Sequence, residues 1–205
     1  MTEPTKPRVQ VKVCGLTRVD QALACVDAGA SAIGVNFWPR SKRRCGDEEA
    51  ARLVEAVGAR ARVVAVVVDA APARIEAIRA LGIRWIQLHG EESPEELARW
   101  LPEAFKAVHR EADATRFGGE ELLVDARVGD LPGGTGVTCD WDAAARLART
   151  RRLWLAGGLT ADNVGEAVRR VRPFGVDVAS GVERAPGDKD LALVARFVAN
   201  ATTQP

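Results

Sequence analysis

The sequence has no apolar run long enough to cross a bilayer, which excludes a helical membrane span. It has no excess of charge: 29 Lys and Arg against 28 Asp and Glu leave a net +1. That balance gives no footprint for nucleic acid or for an anionic membrane surface. Residues 1–7 are polar and lack the apolar core of a secretion signal, so a cytoplasmic location is expected. The four cysteines, Cys14, Cys25, Cys45 and Cys139, are scattered without a C-x-x-C pair. Neither a zinc site nor, in a reducing compartment, a disulfide is expected from them. No change of composition marks a second domain. The chain of 205 residues, 47% of them hydrophobic, is long enough for one buried core. Residues 1–205 therefore read as a single domain, with 1–7 a flexible tail.

What is present is alternation. Short β-branched runs at 9–14, 31–36, 62–68, 84–88, 105–109, 121–125, 152–156 and 175–179 alternate with amphipathic segments. Several runs are almost wholly apolar, as strands covered on both faces should be. Helix signals lie between them. Thr17 to Asp20 resembles a capping box, Asp47 and Thr160 are placed to cap, and Pro72 opens a third helix. Ser93-Pro94-Glu95-Glu96 sets a cap, a first-turn proline and an acidic third residue in order. Asp140 is placed to cap another helix, and a last one over 188–200 should bury Leu191, Val194 and Val198. The 110–120 connection has room for one helical turn or none. Eight β/α units in about 200 residues match the smallest (β/α)8 TIM barrels, an α/β fold. A doubly wound open sheet uses the same alternation. The count of strands favours the barrel, and no G-x-G-x-x-G follows the first strand.

In such a barrel, reacting groups collect at the C-terminal tips of the strands. Lys12-Val13-Cys14-Gly15-Leu16-Thr17 puts a thiol at the first tip, before a glycine turn. The loop from Asn36 to Arg44 after the second strand carries four cations, suited to a carboxylate or phosphate, or simply to water. Gly157-Gly158 and Ser180-Gly181 follow the last two strands, where backbone N–H groups can approach a phosphate. Asp125 ends an apolar strand and reads as a structural acceptor or as an acid/base, since a long Gly-rich loop follows it rather than a helix. His89 reads equally as a ligand contact and as a hydrogen-bonded structural histidine, and His109 carries less signal. Cys25 reads as helix packing, and Trp38, Trp85, Trp100, Trp141 and Trp154 as packing anchors.

Taken in order and spacing, several segments resemble the phosphoribosylanthranilate isomerase family of tryptophan biosynthesis. They are 12–17, 39–43, 87–90, 123–125, 133–136, 140–141, 157–159, 163–164 and 176–183. The resemblance implies a cofactor-free, metal-free Amadori rearrangement of N-(5-phosphoribosyl)anthranilate to 1-(2-carboxyphenylamino)-1-deoxyribulose 5-phosphate. It implies Cys14 as general base, Asp125 as general acid and Arg43 as the anchor of the anthranilate carboxylate. Phosphate would sit on Gly157, Gly158, Ser180 and Gly181, with His89 a further candidate contact. The partner implied is a small sugar phosphate, not nucleic acid or membrane, and the state is monomer or homodimer. Val137 and Cys139 depart from the family pattern, as does the 126–132 region around Arg127. The related histidine-pathway isomerase uses paired aspartates, one of them where Cys14 stands. A non-catalytic sugar-phosphate sensor would need neither Cys14 nor Asp125. The base must act as thiolate, so a thiol pKa lowered by a helix N-terminus or Lys12 is expected.

Overall fold

The computed structural model describes residues 8–125 and 140–203. The expected tail at 1–7 and most of the loop after the sixth strand, with Arg127, Val137 and Cys139, lie outside the described residues. Eight strands run β1 (Gln10–Cys14), β2 (Ala32–Asn36), β3 (Arg62–Val67), β4 (Trp85–Leu88), β5 (Ala104–Val108), β6 (Glu121–Asp125), β7 (Arg152–Ala156) and β8 (Gly175–Val178). They pair in parallel, each with the next in sequence, and β8 closes on β1. The open-sheet alternative is thereby overturned. The helices α1 (Val19–Asp27), α2 (Asp47–Val57), α3 (Pro72–Ala80), α4 (Pro94–Ala98), α5 (Glu111–Ala114), α6 (Trp141–Ala148), α7 (Val164–Val171) and α8 (Leu191–Thr202) connect them. The fifth connection thus holds one turn.

Alternation along each strand sorts its side chains. In β1, Val11 and Val13 face the shell between barrel and helices, where Leu53, Ile78, Leu97, Val164 and Phe197 also pack. Each such side chain, fully buried, contributes roughly 1.5–3 kcal/mol of transfer free energy. A smaller apolar cluster fills the barrel itself, with Val64, Phe105, Leu123 and Trp154 at its heart. Trp154 is satisfied as well as buried: its indole N–H donates to Glu121 Oε2 at 2.8 Å, and Arg62 reaches the same carboxylate at 2.8 Å. Glu121 and Arg62 open their strands, so this group plugs the end of the barrel opposite the strand tips.

Local chemistry departs from expectation at several helix starts. Ser93 and Glu96 form the full capping box, and Asp140 accepts from Ala143 N–H at 2.9 Å. Thr17 does not cap α1; its hydroxyl is turned to the Gly187 carbonyl at 3.5 Å. Asp47 lies inside α2, whose N-cap is Gly46, because its carboxylate is held by Arg74. Thr160 serves a turn ahead of α7, accepting from Asp162 and Asn163 N–H groups, so that helix starts only at Val164. Leu191 is exposed rather than buried, because Asp190 caps α8 and 188–189 are used in a strand. That strand, β10 (Asp188–Lys189), forms an antiparallel hairpin with β9 (Glu183–Ala185) just after β8.

Candidate active site

Cys14 is the last residue of β1 and shares its inward face with Lys12, two residues earlier. Gly34 stands opposite it in the register with β2. A Cβ on Gly34 would lie 2.7 Å from the Cys14 sulfur, so the missing side chain is the room the thiol occupies. Lys12 is wholly buried and donates to Asp177 Oδ1 and Gln87 Oε1, both at 2.9 Å. Partners on β8 and β4 can be reached together only through the barrel interior. Burial alone would lower the Lys12 pKa, but Asp177 and the Cys14 sulfur outweigh it and hold the ammonium charged. The thiol behaves differently from expectation. Burial pushes Cys14 above its ordinary value and Asp177 adds to that; Lys12 and Lys189 oppose the rise without reversing it. Lys12 is the cation expected beside the thiol, yet the thiol form is favoured.

Asp125 ends β6 and faces the same space. His89, just past β4, brings its Nε2 to 4.0 Å from Asp125 Oδ2. The ring's Nδ1 is 2.7 Å from the Gln87 side-chain nitrogen. The Gln87 oxygen accepts from Lys12, so its NH2 end must face the ring. Nδ1 then accepts, and the proton of the neutral imidazole is assigned to Nε2, on the Asp125 side. Burial holds the His89 pKa below its usual value despite Asp125, which keeps the ring neutral. His109 is exposed and does not line this space. A Gln87→Leu variant should release this tautomer. The prediction is checked by 15N chemical shifts of His89, since the chain has only 2 histidines; unchanged Nδ1 and Nε2 shifts would refute the assignment.

The β2–α2 loop carries Arg43, fixed by its N–H donating to Ser41 Oγ at 3.0 Å. Its side chain crosses over Gly15, which has φ +80° and whose added Cβ would meet Arg43 Cδ at 2.5 Å. The guanidinium is already engaged: Nη2 donates to Glu183 Oε2 at 2.6 Å, and Nε to Oε1 at 2.8 Å. Nη1 is outside this fork. Burial would raise the Glu183 pKa, but hydrogen bonds from Arg43 and Lys189 and the Lys189 charge hold it down at about 2. Asn36 accepts from the Trp38 N–H at 2.9 Å, which turns the loop so that the Trp38 ring lines the cavity rather than only anchoring packing.

The glycines ending β7 and β8 complete the wall. Gly157 and Gly158 have φ +91° and +69°, conformations in which a side chain is strained. Residues Ser180–Val182 form one 3-10 turn, whose first N–H groups have no partner within the turn. A Cβ on Gly181 would lie 2.0 Å from the Leu159 carbonyl oxygen, so the two loops touch there backbone to backbone. Gly181→Ala must push them apart. It is expected to weaken binding of a phosphate-bearing ligand by about tenfold, ~1.4 kcal/mol. Calorimetry on the variant checks this, and unchanged affinity would remove Gly181 from the anion site.

A cavity of about 370 Å³ brings Cys14, Arg43, His89, Asp125, Gly157, Gly158, Ser180 and Gly181 together. A larger cavity of about 710 Å³, under α5 and α6, contains none of these. The cavity wall also includes Trp38, Gln87 and Asp177, and behind it lie Gly34, Glu183 and Lys189. A lysine or glutamine inside an apolar strand, and a glycine inside another, were the available signals for Lys12, Gln87 and Gly34. Lys189 left none.

The model of the N-(5'-phosphoribosyl)anthranilate isomerase family matches residues 11–200. A curated isomerase of that name from Thiobacillus denitrificans is 44% identical over 204 residues, covering 94% of this chain and 98% of its own. The crystal structure of the Thermotoga maritima isomerase superposes with a TM-score of 0.85 at 36% identity, covering 95% of this chain and 99% of that one. A structure of the isomerase in complex with reduced 1-(o-carboxyphenylamino)-1-deoxyribulose 5-phosphate superposes at 0.82 with 34% identity, again covering 95% and 99%. With the barrel, the strand-tip cavity and these likenesses in place, the chain belongs to the phosphoribosylanthranilate isomerase family, isomerases of tryptophan biosynthesis.

Proposed function

We propose that Cys14 and Asp125 divide the two proton transfers by which this enzyme converts N-(5-phosphoribosyl)anthranilate to 1-(2-carboxyphenylamino)-1-deoxyribulose 5-phosphate. The observation that carries this reading is that a thiol and a carboxyl from different strands open into one cavity with a glycine-built anion end. The sugar phosphate enters with its phosphate on Gly157, Gly158, Ser180 and Gly181. Asp125 protonates the furanose ring oxygen, the C1–O bond breaks, and a protonated Schiff base forms. The Cys14 thiolate then removes the proton from C2, giving a neutral enolamine that tautomerises to the ketone. No electrons leave the substrate, so no redox cofactor takes part.

The raised pKa of the buried Cys14 thiol fits this order. The Schiff base carries positive charge beside Cys14, where it acidifies both C2–H and the thiol. The thiolate is therefore formed when it is needed, with Lys12 and Lys189 as its standing cations. His89 presents its Nε2–H toward Asp125 and the ring oxygen. The ring carboxylate binds at Arg43. Among the described residues no helix is long and apolar enough to cross a membrane. Membership of a biosynthetic isomerase family and the balanced charge support a cytoplasmic location, a small-molecule substrate and no nucleic-acid partner.

The test is turnover of freshly generated phosphoribosylanthranilate, followed by loss of its anthranilate fluorescence. Decay no faster than the spontaneous background would sink the proposal. Within it, Arg43→Ala is expected to raise KM by about tenfold or more with a smaller change in kcat, the pattern of lost ground-state binding. An unchanged KM would remove Arg43 as the carboxylate anchor.

A further inference from the structure

Lys189 belongs to β10, in none of the segments that suggested function, yet it is wholly buried. A buried ammonium needs acceptors for its protons. Here they come from three different segments. Nζ donates to the Cys14 carbonyl at 2.6 Å, to Glu183 Oε1 at 2.7 Å and to the Ala179 carbonyl at 3.4 Å. The first is the tip of β1, the second the hairpin, the third the loop leading into the 3-10 turn.

The charge count gives this lysine a second consequence. Glu183 is the carboxylate that grips Arg43, and its side chain is only 4% exposed against 26% for Arg43. Arg43 and Glu183 alone form a neutral pair, and an arriving carboxylate would be repelled by one member as it was attracted by the other. With Lys189 bound to Glu183 Oε1, an oxygen it shares with Arg43 Nε, the group carries one net positive charge. That charge has its exposed part at Arg43, on the cavity wall.

We infer that Lys189 is a positioning residue for the isomerisation: it offsets Glu183 so that Arg43 can still take a carboxylate. This rests on the reading of Arg43 as the carboxylate anchor. Lys189 itself touches no substrate.

The test compares two probes by calorimetry: reduced 1-(o-carboxyphenylamino)-1-deoxyribulose 5-phosphate and its phenylamino counterpart without the carboxylate. In Lys189→Met the preference for the carboxylate-bearing probe should fall by about tenfold or more, with the other probe bound within about twofold of wild type. An equal loss on both probes would mean a structural role alone and overturns the inference. Arg43→Met separates the two readings. If it leaves the preference intact, the Arg43 anchor is wrong; if it abolishes the preference while Lys189→Met does not, Lys189 is wrong. Lys189→Met leaves Glu183 buried with one partner fewer, and this variant can fail to fold. The double variant Lys189→Met with Glu183→Gln leaves neither charge behind Arg43 and restores the single positive charge of the group. It should recover the carboxylate preference, and failure to do so in a folded protein also overturns the inference.

Discussion

Cys14→Ser is expected to lower kcat by about 10³-fold or more, toward the upper end of what a positioned base contributes. The hydroxyl is slightly smaller than the thiol, and it enters a space that Gly34 already leaves open, so the barrel should be undisturbed. The alkoxide form is inaccessible near neutral pH, and no arrangement of Lys12 and Lys189 makes it a practical base. Thermal melting and binding of the reduced product should therefore match wild type while turnover is lost. Full activity in Cys14→Ser would end the assignment. The wild-type pH profile gives a second check. The free-enzyme thiol lies above its ordinary value, so its thiolate fraction is small at pH 7 and grows as pH rises. Because kcat/KM reports the free enzyme, it should climb between about pH 7 and 9 on the basic form of this group. A flat profile over that window would show that the titrating base is not Cys14.

Much of this site is legible in the sequence. A polar residue ending an apolar strand is conspicuous, and Cys14 and Asp125 are such residues. Parallel strands covered on both faces read as apolar runs, which made the eight-strand count possible. What escaped depended on partners distant in sequence. Lys12 sits visibly between valines, but its bonds to Gln87 and Asp177 exist only because barrel closure puts β1, β4 and β8 around one interior. Glu183 and Lys189 meet through a hairpin turned at Pro186-Gly187, a dipeptide that marks a turn, but its strands of 3 and 2 residues are too short to show a periodicity. Capping failed for a related reason. Thr17, Asp47 and Thr160 are good caps in isolation, and each is drawn to another partner: Gly187, Arg74 and the turn before α7. Charge and position mark the loop with its four cations, and the resemblance singles out Arg43 among them; that its fork is held by Glu183 cannot be read from the loop.

Asp125→Asn separates the acid from the base. The amide keeps the size of the carboxyl but has no proton to give at neutral pH, so ring opening loses its acid. A kcat loss of about 10²–10⁴ is expected, with binding of the reduced, already open product retained. The two dead variants should fail at different bonds, and an isotope effect tells them apart. With substrate deuterated at C2, the proton removed by Cys14 becomes slower to break. In Asp125→Asn the step before it, C1–O cleavage, limits the rate, so the isotope effect should collapse toward one. In Cys14→Ser the C2–H step limits the residual rate, and the effect should be fully expressed. His89 provides the control. Its Nε2–H faces Asp125 but its neutral ring holds no spare proton, so His89→Asn should cost far less than Asp125→Asn. A larger isotope effect in Asp125→Asn than in wild type would place Asp125 after ring opening, and a loss in His89→Asn equal to that in Asp125→Asn would make the histidine the proton donor.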